Sequence, residues 1–489
     1  MTRPCRLAVL SAPILASVLL VAGCDLAPKE NLPIIHVAVA YKDAAAWKPA
    51  NPSDEIPRGA WWTLYHDPVL TRLEERLDSN NPDLENEVAI YDRARAYAQE
   101  AESGLYPTLT FGSAYSYHNL STNARPLRPP GQPATYGRNS FDAFATYEID
   151  VWDKLHNEAR AGQALAEAAA GDLATAKLSL EAELASDYLV WRGLVDEVAL
   201  LHRTVASYQA AYNLVSDRFH GQIAPEVDVS RAETQLEDAR ATLAGLINRQ
   251  VLMEHAIGTL TGTPATDFTM PADSTPLSMP YVPPGMPSTL LERRPDIAAA
   301  ERRVAAAAHI VGVARAAFYP DISLGLVGGF ASNGPDLFTL PNSAWVLGSG
   351  LLLPILDGGY RQAELNDSEA ALRSADAVYR ATVLSAFQDV EDALSEIHWL
   401  GEEQKSASAA VKSAQLTVSQ ATALYRDGAT NFLEVAVAQT QELDAERRAV
   451  QLHAVQTETT VNLIRALGGG WTRADIPPPP QPGLLHAGP

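Results

Sequence analysis

Few side chains in this 489-residue chain are spaced to make or break bonds. The eleven histidines are scattered, without metal-ligand spacing. The sequence has no His-Glu-x-x-His, no phosphate loop of the Gly-Lys-Ser/Thr kind and no Gly-x-Ser-x-Gly. Gly468-Gly469-Gly470 follows a helical run, so it reads as a helix C-cap rather than a nucleotide cradle. Two kinds of chemistry remain. One is a single thiol, Cys24, closing the run Leu20-Val21-Ala22-Gly23-Cys24. The other is carboxylate charge laid along regular elements. Asp142, Glu148 and Asp150 share one side of an alternating segment, and Asp228 and Glu434 stand at matched points of two helical runs. Such groups set a local field; they do not by themselves turn over a substrate.

The elements that place these groups begin with a leader. Arg3 and Arg6 precede an apolar run over 7–22 that is broken by Pro13 and ends in small residues, as in an export signal. Val21-Ala22-Gly23-Cys24 resembles the bacterial lipobox, which implies cleavage before Cys24 and lipid on its sulfur; an ordinary signal peptide with an incidental cysteine is the alternative. Cys5 leaves with the leader, so the mature chain has no disulfide and holds by packing alone. Net charge is −22, and −22 − 2 = −24 once Arg3 and Arg6 are gone, which makes nucleic acid a poor partner. No later stretch has eighteen consecutive apolar residues, so a membrane could be crossed only with strands.

The chain is duplicated. Pro82 and Pro295, Asp83 and Asp296, Tyr106 and Tyr319, Pro107 and Pro320, and Gly112 and Gly325 are all 213 residues apart. Farther on, Phe219 and Tyr425, Asp228 and Glu434, Val229 and Val435, and Thr234 and Thr440 are 206 apart. The offset falls because the second strand loop is shorter, while the long arms stay matched. The reading divides the chain into a signal peptide (1–23), a lipidated lead (24–60), a first repeat (61–262), a linker (263–288), a second repeat (289–471) and a Pro-rich tail (472–489).

Within the first repeat, Asp67 caps a short helix with Pro68 at its first position, and a second helix starts at Pro82. Residues 107–117 and 141–151 alternate as strands around an exposed loop over 119–139. An oily face opposite an acidic one suits a tilted membrane strand, and a soluble sandwich strand would alternate in the same way. Residues 154–217 then form a long helix with a heptad at Leu194, Val198, Leu201, Val205, Tyr208, Tyr212 and Val215. A return helix answers with Val229, Ala232, Leu236, Ala239, Leu243 and Leu246, giving an antiparallel hairpin with its tip at 218–225. The second repeat predicts strands over 321–330 and 343–353, a helix over 359–426, a turn at Asp427-Gly428 and a return helix to Leu467. Four strands are too few to close a membrane barrel, so they must be pooled between chains or lie outside lipid.

Trp61-Trp62 with Asp67-Pro68, PSTLLERRPDI (287–297), ARAAFYPDISL (314–324) and ALGGGW (466–471) together resemble the TolC-like outer-membrane factors, in particular their OprM and NodT branch of efflux-channel lipoproteins. The resemblance implies a mainly α fold with a β membrane part. Duplicated coiled-coil hairpins and four strands per chain would form a homotrimer whose twelve-stranded barrel, in outer-membrane lipid, continues into an α-helical barrel across the periplasm. It implies a passive duct of a tripartite, RND-type efflux system, with no enzyme activity and no cofactor, meeting a periplasmic adaptor and an inner-membrane pump. Arg218, Gly221, Gln222, Arg426 and Asp427 would meet the adaptor; Asp228, Tyr425, Gly428 and Glu434 would belong to the gate; Asp142, Glu148 and Asp150 would face the lumen. Thr430 stands where the family often has Arg, Gln222 where the first tip usually has Gly, and Asp25 follows the lipidated cysteine. Protein secretion through the same duct, or a periplasmic coiled-coil lipoprotein without a pore, are the alternatives.

Overall fold

The organising element of the computed structural model is one helix, α3, to which the short helices and both return helices are fitted. The structure describes residues 25–29, 32–33, 41–42, 59–119, 121, 133–271, 279–280, 282, 290–291 and 293–471. The leader, Cys24 and the tail lie outside these. In order come α1 (Pro68–Asn80), α2 (Pro82–Ser103), β1 (Thr108–Asn119), β2 (Thr135–Glu148), α3 (Lys154–His220), α4 (Glu226–Leu260), α5 (Pro295–Ala316), β3 (Asp321–Ser332), β4 (Ser343–Leu352), α6 (Tyr360–Arg426) and α7 (Phe432–Ala466). The duplication is visible in the lengths. α2 and α5 have 22 residues each, α3 and α6 have 67 each, and α4 and α7 have 35 each.

The starts follow from local chemistry. Asp67 Oδ1 accepts from the amides of Val69 (2.8 Å) and Leu70 (3.2 Å), and Asn81 Oδ1 accepts from Leu84 (2.8 Å); a proline occupies the first helical position in both cases. Trp61-Trp62 forms a short 3-10 turn over Trp61–Tyr65 that plugs the core. The Trp61 indole donates to Glu181 (3.0 Å), Tyr65 meets Thr460 (2.5 Å), and Asp67 Oδ2 accepts from Tyr188 (2.7 Å) with Arg192 at 3.4 Å. The motif therefore ties the start of the body to the middle of α3. Glu74 of α1 is also fully buried there, and neither of its carboxyl oxygens has a partner among the described residues. Burial, with Glu181 and Asp78 nearby, holds it well above the usual carboxylate range. Burial likewise pushes Glu181 up to about 7, although Lys177 and the Trp61 hydrogen bond oppose this.

The heptad seam packs as its spacing predicts. Leu194, Leu201, Tyr208 and Val215 are buried against Ala232, Leu236, Ala239 and Leu246 of α4. The second hairpin shares these layers through Leu443 and Val435.

The four strands form one antiparallel sheet in the order β1-β2-β3-β4. β2 starts at Thr135, not 141, and stops at Glu148, not 151. Residues 135–139 carry no alternation, but pairing with Tyr115–Asn119 of β1 makes them strand. After Glu148, Trp152 stacks on Tyr319 at 4.5 Å and donates to Pro320 (3.0 Å), and Asp153 takes φ +53°, which turns the chain into α3. The exposed loop expected over 119–139 is therefore shorter. One sheet face carries Leu109, Phe111, Tyr115, Tyr117, Phe141, Leu326, Trp345 and Leu347, with Phe111 66% and Trp345 75% exposed. The opposite face carries Thr108, Thr110, Gly112, Asp142, Thr146, Gly325 and Gly329, with Phe144, Val327 and Val346 across its middle. The outer edges of β1 and β4 pair with no strand among the described residues.

Candidate functional site

Both hairpins end in the same backbone device. In the first, Ile223 N donates to Arg218 O (2.8 Å) and Gln222 takes φ +57°. In the second, Ala429 N donates to Leu424 O (2.8 Å) and Gly428 takes φ +78°. Each is a helix C-terminus closed by a left-handed residue, with Gln222 where glycine would be unstrained. Gly221 is not the left-handed position. Asn431 then caps α7 by accepting from Glu434 N (3.4 Å).

The predicted gate residues gather at this end. Tyr425 is buried, packed edge-on against Phe432 at 5.6 Å, and its hydroxyl has no partner among the described residues. Asp228 is buried in the first turn of α4, with its carboxylate on Arg231 at 3.3 Å. No hydrogen bond joins Tyr425 to Asp228 among the described residues. Glu434, Arg426 and Asp427 are exposed. Arg218 behaves unlike its neighbours. It reaches across to the second hairpin, and its guanidinium covers the Tyr425 ring at 4.7 Å. Its sequence signal was a basic residue in the last turn of a helix, a common helix-end preference that does not reveal a cross-hairpin contact.

The three strand carboxylates separate. Asp142 stays on the sheet face opposite Phe111 and Trp345, paired between Gly112 and Gly329. A side chain at Gly329 would meet the Phe141 carbonyl oxygen first and Asp142 Oδ1 at 2.6 Å, so the glycine leaves room for the neighbouring strand as well as the carboxylate. Glu148 ends β2 and pairs with Lys154 (3.1 Å). Asp150 lies beyond the strand and does not continue an acidic strand face. It accepts from the backbone N of His156 (2.8 Å) and bonds its Nδ1 (2.7 Å) at the start of α3. Asp150, Asp153 and His156 bring possible ligand atoms within 4.8 Å of one another. Arg160 stands 3.9 Å from Asp153, and the His156–Asp150 bond occupies two of those atoms, so hydrogen bonds and charge pairing account for the cluster. Asp25 is also engaged, accepting from Asn157 (3.1 Å) and Arg160 (3.2 Å).

Two hairpins of equal length and a four-stranded sheet are the features that the comparisons with known proteins address. The model of the outer membrane efflux protein family matches residues 73–263 and 286–469. The pyoverdine export outer membrane protein OpmQ of Pseudomonas putida is 30% identical over 439 residues, covering 88% of this chain and 93% of that one. Outer membrane protein OprJ of Pseudomonas aeruginosa is 30% identical over 465 residues, covering 93% and 94%. Among solved structures, the outer-membrane channel OprN superposes with a TM-score of 0.83 at 29% identity, covering 92% of this chain and all of that one. The chain belongs to the outer membrane efflux protein family and is an efflux channel component of the Gram-negative outer membrane.

Proposed function

We propose that three copies of this chain form the passive exit duct of a tripartite, RND-type efflux system, without chemistry of its own. The observation that carries this reading is the sheet: among the described residues it has four strands, an exposed apolar face and two unpaired outer edges. Open edges are not tolerated in lipid, and single-chain bacterial barrels start at about eight strands. Pairing β1 of one copy with β4 of the next removes every edge and gives twelve strands. The apolar face then meets lipid, and Asp142 faces water inside.

In the same reading, residues 1–23 are a cleaved leader, Cys24 carries the lipid, and 61–262 and 289–471 are the two structural repeats. The tips meet a periplasmic adaptor through Gly221, Gln222, Arg426 and Asp427, and through it an inner-membrane pump. Asp228, Tyr425, Gly428 and Glu434 line or brace the closing end. The burial of Tyr425 and Asp228 where the two hairpins end supports a bracing role for this pair.

The test is a pair of measurements on the full-length protein in detergent. Its mass should be that of a trimer, and it should conduct ions in a planar bilayer. A monomer that stays soluble once delipidated and carries no current would refute the duct.

A further inference from the structure

Arg218 belongs to the last turn of α3, but its side chain serves the other hairpin. Nη1 donates to the carbonyl of Tyr425 (2.8 Å) and Nη2 to that of Arg426 (2.9 Å). Both carbonyls lie in the final turn of α6, where helical oxygens lack intrahelical donors and the negative end of the helix dipole gathers. A planar guanidinium reaches two adjacent oxygens at once, which an ammonium cannot do with the same fixed geometry. The same group lies over the Tyr425 ring at 4.7 Å, adding a cation–π contact. Higher along the bundle, Glu197 takes Arg447 (2.8 Å) and Gln451 (3.1 Å) of the second hairpin, and the links nearer the tips are neutral. Tyr208 donates to Gln439 O (3.1 Å) and Gln235 to Ala436 O (3.4 Å). Arg218 therefore makes a charged, two-pronged link at the extreme end, where separation of the hairpins changes the opening most.

We infer that Arg218 is a latch: a positioning residue that holds the two hairpin tips of one chain together and so keeps the end of the duct narrow. The inference rests on the tips being the closed end of the duct. Opening then requires both carbonyls of α6 to lose the guanidinium: Tyr425 O keeps the amide of Gly428 as a donor (3.1 Å), and Arg426 O takes water or an adaptor side chain. A docking adaptor that offers donors to Tyr425 O and Arg426 O would release the latch without unfolding either helix.

The test uses the full-length protein with Arg218→Ala and Arg218→Lys. In a planar bilayer, Arg218→Ala should raise mean conductance several-fold. Arg218→Lys keeps the charge and loses the fork, and should fall between wild type and Arg218→Ala. Spin labels on Ile223→Cys and Ala429→Cys, at exposed positions of the two turns, should move apart in Arg218→Ala and return toward the wild-type separation in Arg218→Lys. An unchanged melting temperature would show that the body of the fold is intact. Unchanged conductance and unchanged label separation in Arg218→Ala would overturn the latch and leave the duct standing. Absence of current from wild type would overturn the duct, and the label separation would then decide the intramolecular clasp by itself.

Discussion

Replacing Glu181 by Gln isolates one buried proton. The Glu181 carboxyl is nearly inaccessible, takes the Trp61 indole as donor and has Lys177 at 3.6 Å. Its folded pKa is about 7 against an ordinary value of 4.5. A raised carboxyl pKa means that the folded chain keeps a proton which the unfolded chain gives up. The corresponding stability is complete below pH 4.5 and is lost as pH rises through 7. A rise of 2.5 units at about 1.4 kcal/mol each corresponds to roughly 3 kcal/mol per chain between pH 4.5 and pH 8. Gln matches the neutral acid in size and keeps an oxygen for Trp61. Chemical denaturation of the detergent-solubilised protein, followed by circular dichroism at pH 5, 6, 7 and 8, should find Glu181→Gln close to wild type at pH 5. By pH 8 it should exceed wild type by up to that amount, with a flatter profile between. Glu74 titrates in the same direction and will leave a residual slope. Parallel profiles for wild type and Glu181→Gln would refute the assignment of the proton to this carboxyl.

Two other substitutions probe the elements that carry the site. Asp67→Ala removes a helix cap and leaves buried Arg192 without its carboxylate, and should cost about 3 kcal/mol of stability at neutral pH, read from denaturant midpoints. Gln222→Gly relieves a left-handed side-chain conformation and should stabilise the first tip by about 1 kcal/mol, seen as slower hydrogen exchange at the amides of Gly221 to Ala224 with no change at the second tip.

How far the sequence could be read depended on whether a contact leaves a period behind. The seam from Leu194 to Val215 was legible because it repeats, and the paired arms were legible because the duplication preserved their spacing. The cap at Asp67 was legible because Asp-Pro at a helix start has one economical use. Three things left no such trace. Residues 135–139 became strand through pairing with β1, although their own composition is that of a loop. Glu74 and Glu181 sit in helices among many solvated acids, and only the three-dimensional packing of Trp61 and α1 shows that they are inside. Arg218 looks like an ordinary basic helix end until the second hairpin is brought beside it. For the predicted strand acids, parity was a good guide for Asp142, but it ran past the end of the strand for Asp150, because a turn ends alternation without altering residue types.

The identical 67-residue spans of α3 and α6 constrain how such a molecule can change size. A seven-residue insertion in one of them alone would push its turn about 10 Å beyond the other, and the guanidinium of Arg218 could no longer reach its two oxygens. Growth or shortening must therefore occur in both copies together, and in both return helices as well. That is four coordinated edits for every heptad of reach. A protein built this way is tuned like a pair of stilts, and its working height is inherited as a fixed dimension.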